Sequence, residues 1–534
     1  MTGELILTVL SEGDEFLGYE RWEDYGNYST YLEGNITYDQ RFGNHSVSAL
    51  LLYNQRNYDD GDQVPYRTQG FAGRAAYTYA DRYIAEFNFG YNGSENFAKG
   101  NRFGFFPSIA AGWIVSEEEF MRPVQNYINK LKLRASYGLA GNDRFYNDDG
   151  SQKRFAYITT IGSTDGYKWG NSNAFYEKGG LREGDPGVES LTWETVKKAN
   201  VGIELGLFKM AELQVDFFHE RREDIFMQRK NIPASAGFPS APWANYGIVT
   251  NKGFDISLDL NKQINKDWFI SARASVTYAK NKIVEQDEDL GVLGTYRSST
   301  GKPVGQIFGL VNDGLYTEAD FEDVTTGKLK PGLPVPKFSD RVYPGDIKYV
   351  DFNGDGEITE TDKTAIGGTV NPELVYGFGI NLSYKNIDFG AFFQGNGHTY
   401  RIIGENQKNF LPGSTIGAEG NIFTNASDAW TVDNPSQDVF YPRLHMGYNA
   451  NNAQVSDWWL KDMSMLRLKN VELGYSFSKN LIKKAAMEYA RIFVRGTNLL
   501  QFSKFDLWDP ELNTSNGLKY PIMATYSIGL QVRF

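Results

Sequence analysis

The 534 residues contain no cysteine, which argues against a fold stapled by disulfides. Histidine is scarce, and the four present, His45, His219, His398 and His445, are scattered without metal-ligand spacing, so a histidine-built zinc centre is disfavoured. No run approaches the roughly 20 apolar residues that a spanning helix requires, and the mean hydropathy is negative. Basic charge is in deficit: 54 Lys and Arg stand against 66 Asp and Glu, a net charge of -12, which speaks against a nucleic-acid groove. Residues 1–20 hold no basic stretch leading into an apolar core, so no secretory signal is read there.

Aromatic side chains are abundant: 33 Tyr, 36 Phe and 10 Trp make up 15% of the chain. That share is high for a soluble protein and expected where girdles mark two membrane interfaces. The last residues show how such a chain could cross without a helix. Ala524, Tyr526, Ile528, Leu530, Val532 and Phe534 fall on one face of an extended strand, and Thr525, Ser527, Gly529, Gln531 and Arg533 on the other. A solvated sheet alternates as well, but an apolar face beside so polar a face fits a wall between lipid and a wet lumen.

The same period of two recurs back along the chain. It is carried by Ala490–Val494, Val471–Phe477, Ile387–Phe393, Tyr376–Tyr384, Trp268–Tyr278, Phe254–Leu260, Leu213–Phe217 and Ala199–Leu205. Further back come Leu131–Leu139, Ile109–Trp113, Tyr83–Tyr91, Phe71–Tyr79, Val47–Tyr53 and Leu32–Tyr38. About fifteen strands result, each near the roughly 10 residues that span a bilayer at a tilt. Leu5, Leu7 and Val9 supply a candidate sixteenth.

Connections alternate in length along the whole series. With the C-terminus placed in the periplasm, the short ones are Phe42–Asn44, Ala80–Arg82, Ser116–Asn129, Leu207–Met210, Lys262–Lys266, Lys385–Asn386 and Ser478–Met487. The long ones are Arg56–Thr68, Gly93–Phe106, Gly141–Thr192, Arg222–Lys252, Asn281–Val370, Asn396–Ser464 and Gln501–Tyr520. Transmembrane antiparallel barrels keep this parity, with brief periplasmic turns and long extracellular loops. The expected fold class is therefore all-β, a transmembrane antiparallel β-barrel.

Several strings carry a family resemblance. Asn101–Phe120 (NRFGFFPSIAAGWIVSEEEF), Leu131–Asp143 (LKLRASYGLAGND), Leu191–Leu205 (LTWETVKKANVGIEL) and Asn245–Asp255 (NYGIVTNKGFD) resemble SusC/RagA-type TonB-linked outer-membrane proteins of the Bacteroidetes. Gly301–Tyr316 (GKPVGQIFGLVNDGLY), Pro344–Ile358 (PGDIKYVDFNGDGEI), Trp459–Tyr475 (WLKDMSMLRLKNVELGY), Arg495–Asn498 (RGTN) and Asp509–Glu511 (DPE) continue the match in order. The resemblance implies a 22-stranded outer-membrane barrel closed by a plug. It further implies a TonB box engaged by the TonB complex, a SusD-like lipoprotein lid, and uptake of oligosaccharides or oligopeptides. It also implies that residues 1–534 are the C-terminal part of the barrel, since plug, TonB box and signal peptide find no counterpart before Glu20.

One motif carries ion chemistry. Asp351, Asn353 and Asp355 stand at positions 1, 3 and 5, Gly356 at 6 and Asp362 at 12 of a 12-residue calcium loop. Calcium takes six to eight hard oxygens, here side chains of those four residues plus the Glu357 carbonyl. The competing reading is an Asn-Gly/Asp-Gly turn with solvated carboxylates. Position 12 is Asp instead of the longer, bidentate Glu, and neither flank reads as helix.

Catalytic signals are weak. Gly301-Lys302 leads into Pro303 and lacks the remainder of a phosphate loop, Glu117 and Glu118 sit in a short turn, and no nucleophile stands beside a base. Loop aromatics Tyr167, Trp169, Trp243, Trp430, Trp458 and Trp459 are candidates for ligand contact, although such rings also pack loops together. Beside a nutrient importer, two other classes stay open: a passive pore or surface adhesin on the same barrel, and a soluble β-rich carbohydrate-active enzyme.

Overall fold

The computed structural model describes residues 26–534 except 60, 62–63, 148, 172–173, 405–410, 413–423, 479–482 and 484–485. The candidate strand at Leu5–Val9 lies outside the described residues. Fifteen strands form one sheet in strict sequence order. They are β1 (Tyr28–Phe42), β2 (His45–Asp59), β3 (Tyr66–Tyr79), β4 (Tyr83–Ser94), β5 (Phe103–Ile114), β6 (Ile128–Asn142), β7 (Glu194–Leu207) and β8 (Ala211–Gln228). The series continues with β9 (Trp243–Gln263), β10 (Trp268–Glu285), β11 (Leu374–Tyr384), β12 (Ile387–Gly397), β13 (Met465–Ser476), β14 (Tyr489–Ser503) and β15 (Thr525–Arg533). Each alternating segment expected from Leu32 onward falls on one of them to within a residue at its ends.

Register explains why the alternation was so regular. A slip of one residue would turn every side chain to the other face, and the pairing prevents that. Phe254, Ile256 and Leu258 stand opposite Tyr278, Val276 and Ala274; Ala274 and Ala272 then stand opposite Phe378 and Ile380. One apolar surface thus runs across the strands, and none of the described residues covers it: on interior strands Ile109 is 59% exposed and Val201 57%. The opposite face carries paired charges, among them Arg74–Glu86 at 2.6 Å, Arg134–Asp216 at 2.6 Å and Lys132–Glu204 at 3.3 Å.

The short-turn end is ringed by aromatics whose apolar bodies and polar tips suit a lipid–water boundary. Tyr79, Tyr83 and Trp113 lie in succession at 6.4 Å ring separations, and Trp268 lies 4.5 Å from Tyr384. Glu118 anchors this row, accepting hydrogen bonds from Tyr83 Oη at 2.5 Å and Trp113 Nε1 at 3.1 Å. The turn between β7 and β8 places Phe208 and Lys209 at φ of 54° and 55°, the backbone twist that two adjacent strands demand of a tight hairpin.

Two features differ from the sequence expectation. Wall strands run well past their apolar sets. The connection expected over Arg222–Lys252 shrinks to residues 229–242, because β8 continues to Gln228 and β9 starts at Trp243. Beyond the membrane both faces are wet, so alternation ceases while the hydrogen-bond ladder goes on. The second difference is where the packed core sits. It lies in the long connections: Leu310, Ile347, Tyr349, Trp430, Tyr441 and Trp459 cluster from segments before β11 and before β13. Phe97, Phe145, Leu191, Trp193 and Phe226 form another cluster around the β4–β5 and β6–β7 connections.

Candidate functional site

The inner face of the wall is the surface a solute would meet. Toward the short-turn end of β9 to β14 it forms a cleft of about 640 Å³ lined by Asp259, Arg273, Asn381, Asp388, Glu472 and Arg495. Arg273 Nε donates to Asp259 Oδ1 at 2.5 Å. Arg491 reaches Asp388 Oδ1 at 3.0 Å and Glu472 Oε1 at 2.6 Å, and Arg495 Nε donates to Glu472 Oε2 at 2.6 Å. The exposed Arg273–Asp259 pair contributes at most about 1 kcal/mol, whereas Arg491 is mostly buried between its two carboxylates. The main effect of these pairs is to keep the inner face hydrated and charged, the opposite of the lipid face one residue away on each strand.

The 351–362 loop is closed by its own amides. Asp351 Oδ1 and Oδ2 accept from the Gly354 and Gly356 N–H at 2.7 and 2.8 Å. Asn353 Oδ1 accepts from Asp355 N–H at 2.9 Å, and Asp355 Oδ1 from Glu357 N–H at 2.8 Å. Asp362 is fully buried and accepts from Phe352 N–H at 2.9 Å and Thr359 N–H at 2.8 Å. Burial would raise the Asp351 carboxyl, but these amides outweigh it and hold it below its ordinary range. Among the described residues no three His, Asp or Glu side chains converge closely enough to hold a metal.

The six aromatic candidates divide. Trp430 and Trp459 are buried in the loop core, at 6% and 3% exposure; Trp459 Nε1 donates to the Asn452 carbonyl at 2.8 Å. Their ring faces are covered by other loop residues, the packing role that the sequence left open beside ligand contact. Trp458 packs on the same core and donates to the Phe440 carbonyl at 3.1 Å. Trp243 lies flat on Phe226 with ring centroids 4.6 Å apart. Only Tyr167 and Trp169 stand in the open, on a hairpin of Ile161–Asn171 paired with Ala174–Glu183, where Tyr176 extends the ring row at 4.7 Å from Trp169.

A pair of carboxylates escaped the sequence reading. Asp287 accepts from Arg229 Nε, Lys230 N–H and Asn231 Nδ2, each at 2.8 Å. Its neighbour Glu288 accepts from Ser298 Oγ at 2.6 Å, Ser299 N–H at 2.6 Å and Thr300 Oγ1 at 3.0 Å. Burial alone would raise both carboxyls; the donors outweigh it and bring each to about 2. The two residues clamp the 229–242 and 286–305 connections together. The available signal was an acidic pair ten residues ahead of the Ser298–Thr300 hydroxyl run.

No protein-family model matches the chain. Curated relatives do. The chain is 30% identical over 506 residues to TonB-dependent receptor P26 of Formosa agariphila, covering 90% of this chain and 47% of that protein. To TonB-dependent receptor SusC of Bacteroides thetaiotaomicron it is 26% identical over 489 residues, covering 89% and 45%. Over nearly its whole length the chain is similar to SusC/RagA-type TonB-dependent receptors. The chain spans about half the length of the curated relatives it matches, 55% in the case of TonB-dependent receptor P3 of Formosa agariphila, which is 27% identical over 587 residues. Its fold is that of the RagAB peptide importer in the closed-closed state, with a TM-score of 0.69 over 95% of this chain and 55% of that one at 22% identity. The chain resides in the outer membrane.

Proposed function

We propose that the chain supplies barrel wall and extracellular loops to an outer-membrane nutrient importer energised through the TonB complex. Its cargo would be oligosaccharides or oligopeptides, captured together with a SusD-like surface lipoprotein seated on the loops. The observation that supports this reading most is a sheet with two incompatible faces. An uncovered apolar face needs lipid, and a charged inner face needs water, so the strands can only divide a membrane from an aqueous path. The loop cores add large, ordered extracellular lobes, a form suited to gripping a solute or a lid and unnecessary in a simple pore. The test is growth and labelled-solute uptake in a strain deleted for the encoding gene, with the native gene restored in tonB-positive and tonB-negative backgrounds. Uptake that is restored only with TonB supports the reading. Equal restoration in both backgrounds would favour the passive pore.

We propose calcium as an added brace for the 351–362 loop, on the strength of its ligand order. A carboxylate offers about four lone-pair sites, so the amide bonds to Asp351, Asp355 and Asp362 leave capacity for a cation, and Asn353 Oδ1 and the Glu357 carbonyl complete an all-oxygen set. Calorimetric titration of calcium into chelator-treated protein should give one site that Asp351→Ala with Asp355→Ala removes. Absence of any heat at millimolar calcium would leave the loop as an amide-closed turn.

A further inference from the structure

The charged inner wall changes character at its extracellular end. Past the irregularity at Arg222–Ile225 in β8, Val196, Ile225, Met227, Val249 and Ile283 line one concavity of about 590 Å³, closed on the loop side by Val304, Thr369 and Pro372. Val196 and Ile283 are 7% exposed, so the floor is packed in place. Glycine at 247 lets Met227 and Ile225 take their places in this floor: a Cβ there would come within 2.8 Å of Met227 Cε and 3.1 Å of Ile225 Cβ. The rim is charged in both signs. Lys198 pairs with Glu220 at 3.1 Å and Arg222 with Glu194 at 3.7 Å, and both cations keep about half their side chain in solvent, 55% and 50%. Glu285 and Glu373 line the concavity as well, Glu373 also pairing with Lys280 at 3.6 Å.

This lining discriminates between the two cargo classes. Sugars use flat C–H faces that stack on aromatic rings and ring hydroxyls that need polar partners. Among the described residues no aromatic ring lines the concavity; Asn251, Asn281, Gln286 and Asn371 add amides to the lining, but hydroxyls pressed on the aliphatic floor of Val196, Ile225, Met227, Val249 and Ile283 would lose their hydrogen bonds to water. A short peptide presents an aliphatic side chain, one ammonium and one carboxylate, which match the floor and the two-signed rim. We infer that this concavity binds an apolar side chain of an oligopeptide, with the peptide's termini on Lys198 and Arg222 and on Glu285 and Glu373. The inference rests on the importer reading above and narrows its cargo to peptides.

Calorimetry on the purified full-length protein in detergent tests it with trileucine, triserine and maltotriose. Trileucine should bind at least about tenfold tighter than triserine, the smallest discrimination an apolar pocket gives for missing methylenes, and maltotriose should not compete. Met227→Asp should weaken trileucine about tenfold or more. If that variant does not fold, Lys198→Glu with Arg222→Glu changes only half-exposed side chains and should weaken trileucine while sparing its N-acetylated, C-amidated form. Maltotriose or triserine binding as tightly as trileucine, no trileucine binding by folded protein at millimolar concentration, or trileucine affinity untouched by the variants would each overturn the inference. Trileucine bound at this site but never imported by tonB-positive cells would support the site and overturn the importer reading instead.

Discussion

Ile380→Arg is the sharpest perturbation of the wall. Ile380 lies mid-strand in β11 between Ala272 and Ala391 on the neighbouring strands, and 39% of it remains uncovered. Small neighbours cannot bury a guanidinium, and Phe378 and Leu382, two residues away on the same face, offer it no acceptor. An arginine at the bilayer midplane costs about 2–4 kcal/mol. Asn381, one residue on, faces inward opposite Ser271 and Gly390 and lines the cleft that contains Asp259, Asp388 and Glu472. Asn381→Arg should therefore stay within about 0.5 kcal/mol of the parent. Equilibrium urea unfolding of both variants in phospholipid vesicles, followed by tryptophan fluorescence, measures the difference. Equal costs for the two arginines, or a cost under about 0.5 kcal/mol at Ile380, would refute the assignment of faces.

Further outcomes follow from the loops. Asp287 and Glu288, with folded pKa values depressed to about 2, contribute stability that is complete above their unfolded values and lost as pH falls through the folded ones. Pepsin cleavage within residues 286–305 should accelerate between about pH 4.5 and 2, and Glu288→Gln should make that segment cleavable already at pH 4.5; a rate independent of pH and variant would dismiss the clamp. Gly345 has φ of +92° and a Cβ there would lie 2.3 Å from the Trp430 ring, so Gly345→Ala should destabilise the loop core by about 1–3 kcal/mol, seen as earlier melting of the loops with the wall unchanged by infrared amide bands. Arg467 is 3% exposed as a side chain, between Asp509 at 2.5 Å and Glu511 at 2.9 Å. Arg467→Ala leaves Asp509 without its cation, while Glu511 keeps Lys469 at 2.9 Å, and should cost about 3 kcal/mol in thermal denaturation, with Arg467→Lys an incomplete rescue because it lacks the guanidinium fork.

The wall was legible because lipid and water impose opposite demands on successive residues. Phe254, Ile256, Leu258 and Leu260 can be read by eye, and each marks its strand. Where that contrast ends, so does legibility. Nothing in the sequence distinguishes the wet extension of β9 back to Trp243 from a loop, since a ladder with both faces in solvent needs no alternation. The loop cores were hidden for another reason. Leu310, Tyr349, Trp430 and Trp459 are brought together from segments far apart in the chain, and each alone looks like an isolated apolar residue. The same distance concealed the 590 Å³ concavity, whose floor is drawn from four strands. In the 351–362 loop the ligand spacing could be read, but not the backbone amides that occupy the carboxylate oxygens.

The absence of cysteine makes one measurement unusually direct. Single cysteines placed at Ile256, Ser257, Leu258 and Asp259 in β9, each carrying a nitroxide, can be read in outer-membrane vesicles for collision with oxygen, which concentrates in lipid, and with a water-soluble nickel chelate. Ile256 and Leu258 stand on the uncovered apolar face, while Ser257 and Asp259 face inward. Alternation with period two is expected, with oxygen dominating at 256 and 258 and nickel at 257 and 259. Uniform access of the nickel chelate to all four positions would contradict a membrane wall and return the chain to the soluble β-rich class.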